Sequence, residues 1–196
     1  MTLKTYSQNC GLASALDVVG DRWTMLVLRS LSTGPARFNQ IQARLPGMGA
    51  NLLAARLKAL QRWGVVEKSP GRQSSYSLSE KGEALRPVLH QLACWGREFV
   101  SDSGNHSQPQ WEMFNIEASF RPEKAKGIDA VVEVRLGESV FHLLIRKQTC
   151  RAVEGPAVEP DVSIRSGNVA MLSGGGRVQI QGDTRVFDRV RPLFNL

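Results

Sequence analysis

In the segment ANLLAARLKALQR, residues 50–62, Asn51, Lys58 and Arg62 stand seven and four residues apart, the spacing that places side chains on one flank of a helix. Leu53, Leu57 and Leu60 share the opposite flank. An amide donates and accepts at once and so suits a base edge, whereas an ammonium or guanidinium answers a phosphate. Asn51 is therefore the candidate base-edge reader, with Ala54 and Ala55 beside it on the outward flank and Lys58 and Arg62 nearer the sugar-phosphate backbone. The rival use of Asn51 is as a cap where the helix begins. Arg37 and Asn39 stand at the start of a preceding short helix, where a guanidinium and open helix amides can grip one phosphate together. A surface ion pair is the alternative for Arg37. Arg72 and Gln73 occupy a Pro-Gly loop tip without an acidic neighbour. Arg56, beside the inward leucines, is divided between a duplex and a buried bond to an acid such as Asp17.

Charge is distributed accordingly. Of the formal net charge of +7, residues 1–103 carry thirteen Lys and Arg against seven Asp and Glu, a net of +6, and residues 104–196 carry twelve against eleven, a net of +1. Within residues 37–86, nine basic side chains (Arg37, Arg44, Arg56, Lys58, Arg62, Lys68, Arg72, Lys81 and Arg86) face three acidic ones, Glu67, Glu80 and Glu83. A basic excess confined to one half is the footprint expected of a partner with a phosphate backbone. An ordinary solvated surface is the alternative.

These side chains need elements to hold them. Apolar residues recur at helical spacing from Leu12 to Leu31, interrupted at Gly20-Asp21, which predicts two helices with Asp21 capping the second. Gly34-Pro35 ends the pair, Phe38 to Leu45 forms a short helix, and Pro46-Gly47-Met48-Gly49 turns into the helix of residues 50–63. Gly64 breaks that helix. Val65 to Lys68 and Ser75 to Leu78 read as strands around the tip Pro70 to Ser74, and a long helix follows from Ser79 to about Val100. Helix, tight turn, helix and a basic-tipped hairpin make a winged helix-turn-helix, in which a braced helix presents its first turns to the major groove.

Ser101 to Gln110 is polar and holds Gly and Pro, the signature of a linker. Beyond it strands are expected over Val131–Leu136, Ser139–Lys147, Gln148–Val153, Asp161–Ile164 and Arg177–Gln181, with a hairpin at Gly137-Glu138, a short helix over Gly167–Leu172 and a closing helix over Thr184–Leu193. The fold class is α+β, with a mainly α winged domain at 1–103, a linker at 104–111 and a small α+β domain at 112–196.

Several separated blocks carry a family resemblance. Cys10, Ala15-Leu16-Asp17-Val18-Val19-Gly20-Asp21-Arg22-Trp23-Thr24, Gly34-Pro35-Ala36-Arg37-Phe38, Leu53-Ala54-Ala55-Arg56-Leu57-Lys58-Ala59-Leu60, Gly64-Val65-Val66, Tyr76 to Gly82 and Trp95-Gly96 together resemble the HxlR-type regulators over about half the chain. The resemblance implies a bacterial, cytoplasmic, dimeric winged-helix transcription regulator of MarR-like architecture that binds a near-palindromic operator in double-stranded DNA. The residues ask for a homodimer too, because a lone winged helix makes few base contacts. Leu85, Leu89, Leu92, Trp95 and Phe99, with Leu12 and Leu16, offer an apolar stripe wide enough for the interface, or else seal the monomer core. Cys10 matches a position that senses oxidants or electrophiles in some members. It has no basic neighbour in sequence and no second cysteine nearby to resolve a sulfenate, so a structural role is its alternative.

The C-terminal order of Val131 to Val134, Asp161 to Ile164, Met171-Leu172-Ser173-Gly174 and Val178 to Asp183, with its Gly182-Asp183 turn into a terminal helix, is similar to sterol-carrier-protein-like domains. Such domains hold a small hydrophobic ligand between a sheet and helices. Phe141, Leu143, Ile145, Ile164, Ile180, Leu193 and Phe194 are the candidate ligand-binding residues, or a solid core, and His142 between two of them points to solvent. No cofactor and no metal site is expected, since Cys10, Cys94 and Cys150 are widely spaced and lack a companion His cluster. No nucleophile elbow or phosphate-cradling loop points to an enzyme, and Gly174-Gly175-Gly176 leads into a strand. No apolar run spans a bilayer and no signal peptide is evident, so no membrane partner is expected. The rival reading is a carrier of lipid or another apolar ligand that lays its basic half on anionic surfaces.

Overall fold

Gly20 to Trp23 separates two helices, α1 (Gly11–Val19) and α2 (Thr24–Leu31), in a computed structural model that describes residues 5–100, 107–167 and 178–194. The chain divides into two units, Met1–Leu89 and His90–Leu196. The expected cap at Asp21 is corrected: α2 starts at Thr24 with no side-chain cap, and Asp21 contributes its carbonyl to the Thr24 N–H at 2.9 Å while its carboxylate pairs with Arg56. The helix α3 (Phe38–Ala43) buries Ile41, and Leu45 and Met48 pin the turn that leads to α4 (Ala50–Arg62).

Leu53, Leu57 and Leu60 of α4 are almost wholly buried with Val27, Leu28 and Leu31 of α2 and with Ile41. Each such side chain contributes about 1.5–3 kcal/mol of burial. After α4 the chain enters β1 (Val66–Lys68) and returns through β2 (Tyr76–Leu78), antiparallel with Val66 opposite Leu78. Ala36 joins the hairpin by exchanging backbone bonds with Tyr76 at 2.9 and 2.8 Å, which ties the start of α3 to the wing.

Ser79 caps α5 (Glu80–Ala84): its hydroxyl accepts from the Gly82 N–H at 3.2 Å and donates to the Gly64 carbonyl at 2.6 Å. A Cβ on Gly82 would strike the Val65 carbonyl oxygen, so glycine is what lets α5 lie this close to the base of the wing. The single helix expected from Ser79 to Val100 is broken at Leu85. Pro87, without an N–H, cannot bond back to the Glu83 carbonyl, and the helix restarts as α6 (Arg86–Gly96) with a 3-10 turn over Arg97–Phe99.

The C-terminal unit takes in α6 from His90, which packs its ring on Phe114, and continues with α7 (Pro109–Ala118), whose first residues fall inside the segment read as linker. Met113, Phe114, Ile116 and Glu117 are all buried, so α7 is covered on more than one side and shows no single apolar stripe to a sequence reader. A five-stranded sheet follows, made of β3 (Ala130–Leu136), β4 (Ser139–Arg146), β5 (Thr149–Glu154), β6 (Val162–Ser166) and β7 (Val178–Gly182) in the order β5-β4-β3-β6-β7. β3 and β6 run parallel and the other neighbours antiparallel. The expected hairpin at Gly137-Glu138 joins Leu136 to Ser139.

At the end of β7, Gly182 has φ +105 and lies against the Asp161 carbonyl, and Asp183 caps α8 (Thr184–Val190) by accepting from the Arg185 N–H at 2.9 Å. The closing helix is α-helical only to Val190 and tightens to a 3-10 turn at Arg191–Leu193 around Pro192. One sheet face carries Val132, Val134, Phe141, Leu143, Ile145, Val162 and Ile164 into a core closed by α7 and α8. The short helix expected at Gly167–Leu172 lies, beyond Gly167, outside the described residues. The α+β class is what the structure shows. No described helix is long and apolar enough to cross a membrane.

Candidate nucleic-acid interface

With Leu53, Leu57 and Leu60 turned inward, α4 leaves Asn51, Ala54, Ala55, Lys58 and Arg62 exposed along its other flank. Gly49 stands at the N-cap, so Asn51 falls in the first turn and is not the cap; its side chain makes no hydrogen bond among the described residues. Lys58 and Arg62 are likewise without an acidic partner there. The first helix amides, the positive end of the helix dipole and an amide side chain thus share one exposed helix start.

Arg37 and Gln73, far apart in sequence, meet: the Arg37 guanidinium donates to Gln73 Oε1 at 2.7 Å, and the Arg37 backbone N–H donates to Gln40 Oε1 at 2.8 Å. This bond joins the start of α3 to the wing tip and aligns two polar groups on one ridge. Arg72, at the tip after Gly71, is exposed, as is Asn39. Ser69 and Ser75 close the tip below it, through Ser69 N–H to the Ser75 carbonyl at 2.8 Å and Ser75 N–H to the Ser69 hydroxyl at 2.8 Å. Lys68 lies 5.4 Å from the centre of the Tyr76 ring, a cation over an aromatic face. Arg56 departs from the rest: paired with Asp21, its guanidinium is committed within the unit, to a different acid from the Asp17 weighed above.

Residues 18–104 match the model of the HxlR-like helix-turn-helix family. The HTH-type transcriptional regulator YvaP of Bacillus subtilis strain 168 is 36% identical over 93 residues, which are 45% of this chain and 86% of YvaP. The chain belongs to the HxlR-like helix-turn-helix family. YodB of the same organism, also an HTH-type transcriptional regulator, is 34% identical over 92 residues, 45% of this chain and 82% of YodB. A structure of YodB in its reduced form aligns with a TM-score of 0.42 at 32% identity, covering 50% of this chain and 100% of that one. The relatives are HTH-type transcriptional regulators rather than enzymes, and their similarity supports a DNA-binding regulator.

Besides Arg56, two more of the nine basic residues counted toward the footprint of this HxlR-like chain do other work. Arg44 is buried and donates to the Ser30 carbonyl at 2.8 Å, and Arg86 is buried and donates to the Ser32 carbonyl at 2.9 Å and to the Glu83 carboxylate at 2.9 and 3.2 Å. Both satisfy carbonyls left open at the C-terminal end of α2, where a cation also answers the helix dipole. Sequence counting missed this, because burial of an arginine leaves no mark in composition. Arg29 on α2 is also mostly buried, and burial pushes its guanidinium down to about 10, still charged at neutral pH.

Of the stripe expected to seal a dimer, Leu92, Trp95 and Phe99 are exposed on α6 and the following turn and Leu85 is half-buried; Trp95 is 63% exposed with its ring tilted against that of Phe99 at 4.9 Å, and Val88, outside the expected set, is exposed too. Leu89 faces inward instead. Leu12 and Leu16 on α1 are exposed as well. Cys10 stands exposed at the start of α1, where the backbone N–H groups of Ala13 and Leu12 hold its thiol below the ordinary range. Cys150 is its opposite: burial, and then the Glu117 carboxylate, push its thiol well up.

In the C-terminal unit, Phe141, Leu143, Ile145 and Ile164 are fully buried side by side, Leu193 and Phe194 are buried against them, and Ile180 packs at the margin. His142 is half-buried rather than solvated: its Nδ1 lies 3.0 Å from the Gly155 carbonyl, to which it donates. Among the described residues no cluster of three or more His, Cys, Asp or Glu side chains is placed to hold a metal ion.

Proposed function

We propose that this chain binds an operator in double-stranded DNA as a homodimer, with α4 in the major groove and the wing on an adjacent phosphate. The observation that carries the reading is the polar flank of α4, where Asn51, Lys58 and Arg62 are exposed and, among the described residues, unengaged, above a leucine face that is buried. In this reading Asn51 reads a base edge, and Ala55 leaves room for the groove wall. Lys58, Arg62 and Arg72 neutralise phosphates, and Arg37 with Gln73 and Asn39 fixes the register on the backbone. Arg56 acts from behind, holding α4 to Asp21. The homodimer uses the exposed apolar residues of α6 and α1, since apolar groups of that size on an isolated surface call for a partner.

The division at 1–103, 104–111 and 112–196 gives the downstream domain a separate role. It is sterol-carrier-like and takes a small apolar ligand along the face built from Phe141, Leu143, Ile145, Ile164, Ile180, Leu193 and Phe194. The strand order and the Gly182-Asp183 turn into α8 support it. Such a ligand affects operator binding only through a difference in affinity between the DNA-competent geometry and others. Cys10, with its lowered thiol pKa, is the candidate electrophile or oxidant sensor.

Fluorescence anisotropy with a duplex from the region upstream of the protein's own gene tests the reading. Affinity should fall steeply with salt, and light scattering should show two chains per complex. Salt-independent binding, or equal affinity for any duplex in both wild type and Asn51→Ala, would remove the operator-reading role.

A further inference from the structure

On the sheet face turned away from the C-terminal core, Glu133, Arg135, Ser163, Arg165, Gln179 and Gln181 line a concavity of about 760 Å³. Strand register gathers them. Parallel pairing sets Glu133 opposite Ser163 and Arg135 opposite Arg165, and β7 adds Gln181 beside Ser163 and Gln179 beside Arg165. Val132, Val134, Val162 and Ile164 alternate with them and supply the core, so the polar set is not needed for packing.

The charges there do not balance locally. Glu133 is nearly buried, and both of its oxygens are taken: Arg135 reaches Oε1 through Nε at 2.9 Å and through its terminal nitrogen at 2.8 Å, and the Ala157 N–H donates to Oε2 at 3.1 Å. That arrangement fixes the Arg135 guanidinium while leaving it more than a third exposed. Arg165, directly across from it, is exposed and has no acidic partner among the described residues. Two cations placed opposite on neighbouring strands repel one another, and a strand pair that keeps them forgoes stability unless an anion comes between.

We propose that this concavity binds a small molecule bearing a carboxylate or phosphate group, held between Arg135 and Arg165, with Gln179, Gln181 and Ser163 hydrogen-bonding its remainder. Guanidinium forks match the geometry of both oxyanions. The volume falls in the range of small-molecule sites, roughly 300–1,000 Å³. A nucleic-acid backbone fits less well, because among the described lining residues the cations are Arg135 and Arg165 alone, enough for one oxyanion and too few for a continuous polyanion. The inference stands apart from the operator reading and concerns a face other than the apolar one.

The test is a nitrogen-15 spectrum of arginine side chains in the full chain, titrated with inorganic phosphate and separately with succinate, with sodium chloride holding ionic strength constant. Saturable shifts of the Arg135 and Arg165 signals are expected with at least one probe, and the one that acts identifies the oxyanion. Arg165→Gln should weaken that binding about tenfold, the loss of one charge-assisted hydrogen-bonded contact, and leave duplex affinity unchanged. Gln179→Ala should weaken it by a smaller factor. No saturable shift with either probe, equal binding by Arg165→Gln, or a fall in duplex affinity in that variant would each overturn the proposal.

Discussion

The outward flank of α4 and the outward face of the C-terminal sheet follow one plan, apolar residues in and polar residues out, yet they spend their polar groups differently. On α4, Asn51, Lys58 and Arg62 stand exposed along the helix and have no side-chain partner among the described residues. On the sheet, Glu133 is saturated by Arg135 and Ala157, and the surface is hollow. Elsewhere in that unit Glu117 accepts from the Ala152 N–H at 3.0 Å, Asp161 from the Val131 N–H at 2.7 Å, and Asp183 from Arg185. A polar group engaged inside the protein is mostly part of the fold, and one left open on an ordered element is available to a partner. By that measure α4 with its wing is built for a long polyanion, and the sheet offers a confined place for one anion.

The comparison breaks most sharply if damage to one unit spreads to the function of the other. Leu143→Ala, in the middle of the C-terminal core, should cost that unit about 2–5 kcal/mol in denaturant unfolding, while duplex affinity of the folded protein stays near wild type. Replacing Asn51 by Ala should remove about 1–3 kcal/mol of discrimination at one base pair of the operator, measured as the affinity ratio between the operator and a singly substituted duplex. The double variant Lys58→Ala with Arg72→Ala should weaken binding to every sequence alike and lower the slope of log affinity against log salt by about 2. The smallest effect is chemical. Near neutral pH, iodoacetamide should modify Cys10 well before Cys150 in the folded chain, since the first thiol ionises at lower pH than usual and the second at higher. Mass mapping of the modified peptides reads the order.

How much of this was legible in the sequence differs between the units for a physical reason. Helices α1 to α4 and the wing show in the sequence because each buries one face, so Leu53, Leu57 and Leu60 recur at helical period and the breakers fall where the chain turns. The interrupted helix after Ser79 was missed because its apolar stripe continues across Leu85, although Pro87 was in plain view. In the other unit, strands over Val131–Leu136 and Ser139–Lys147 were readable by alternation and their hairpin by Gly137-Glu138. By contrast α7, buried on several sides, carries no period at all. The candidate DNA-facing residues of α4 were visible as one flank of a helix. Arg37 with Gln73, Asp21 with Arg56, and Arg135 across from Arg165 depend on long-range register, which local spacing does not encode. The same blindness made Arg44 and Arg86 look like surface charge.

The central claim, that α4 and the wing tip together form the DNA-contacting ridge, is tested most directly by amide and side-chain NMR of the full chain with and without the upstream duplex. The account predicts shifts concentrated at Asn51, Ala55, Lys58, Arg62 and Arg72, with Leu143 and Ile164 unmoved. Binding that leaves those five residues unchanged and instead perturbs the C-terminal sheet would contradict it.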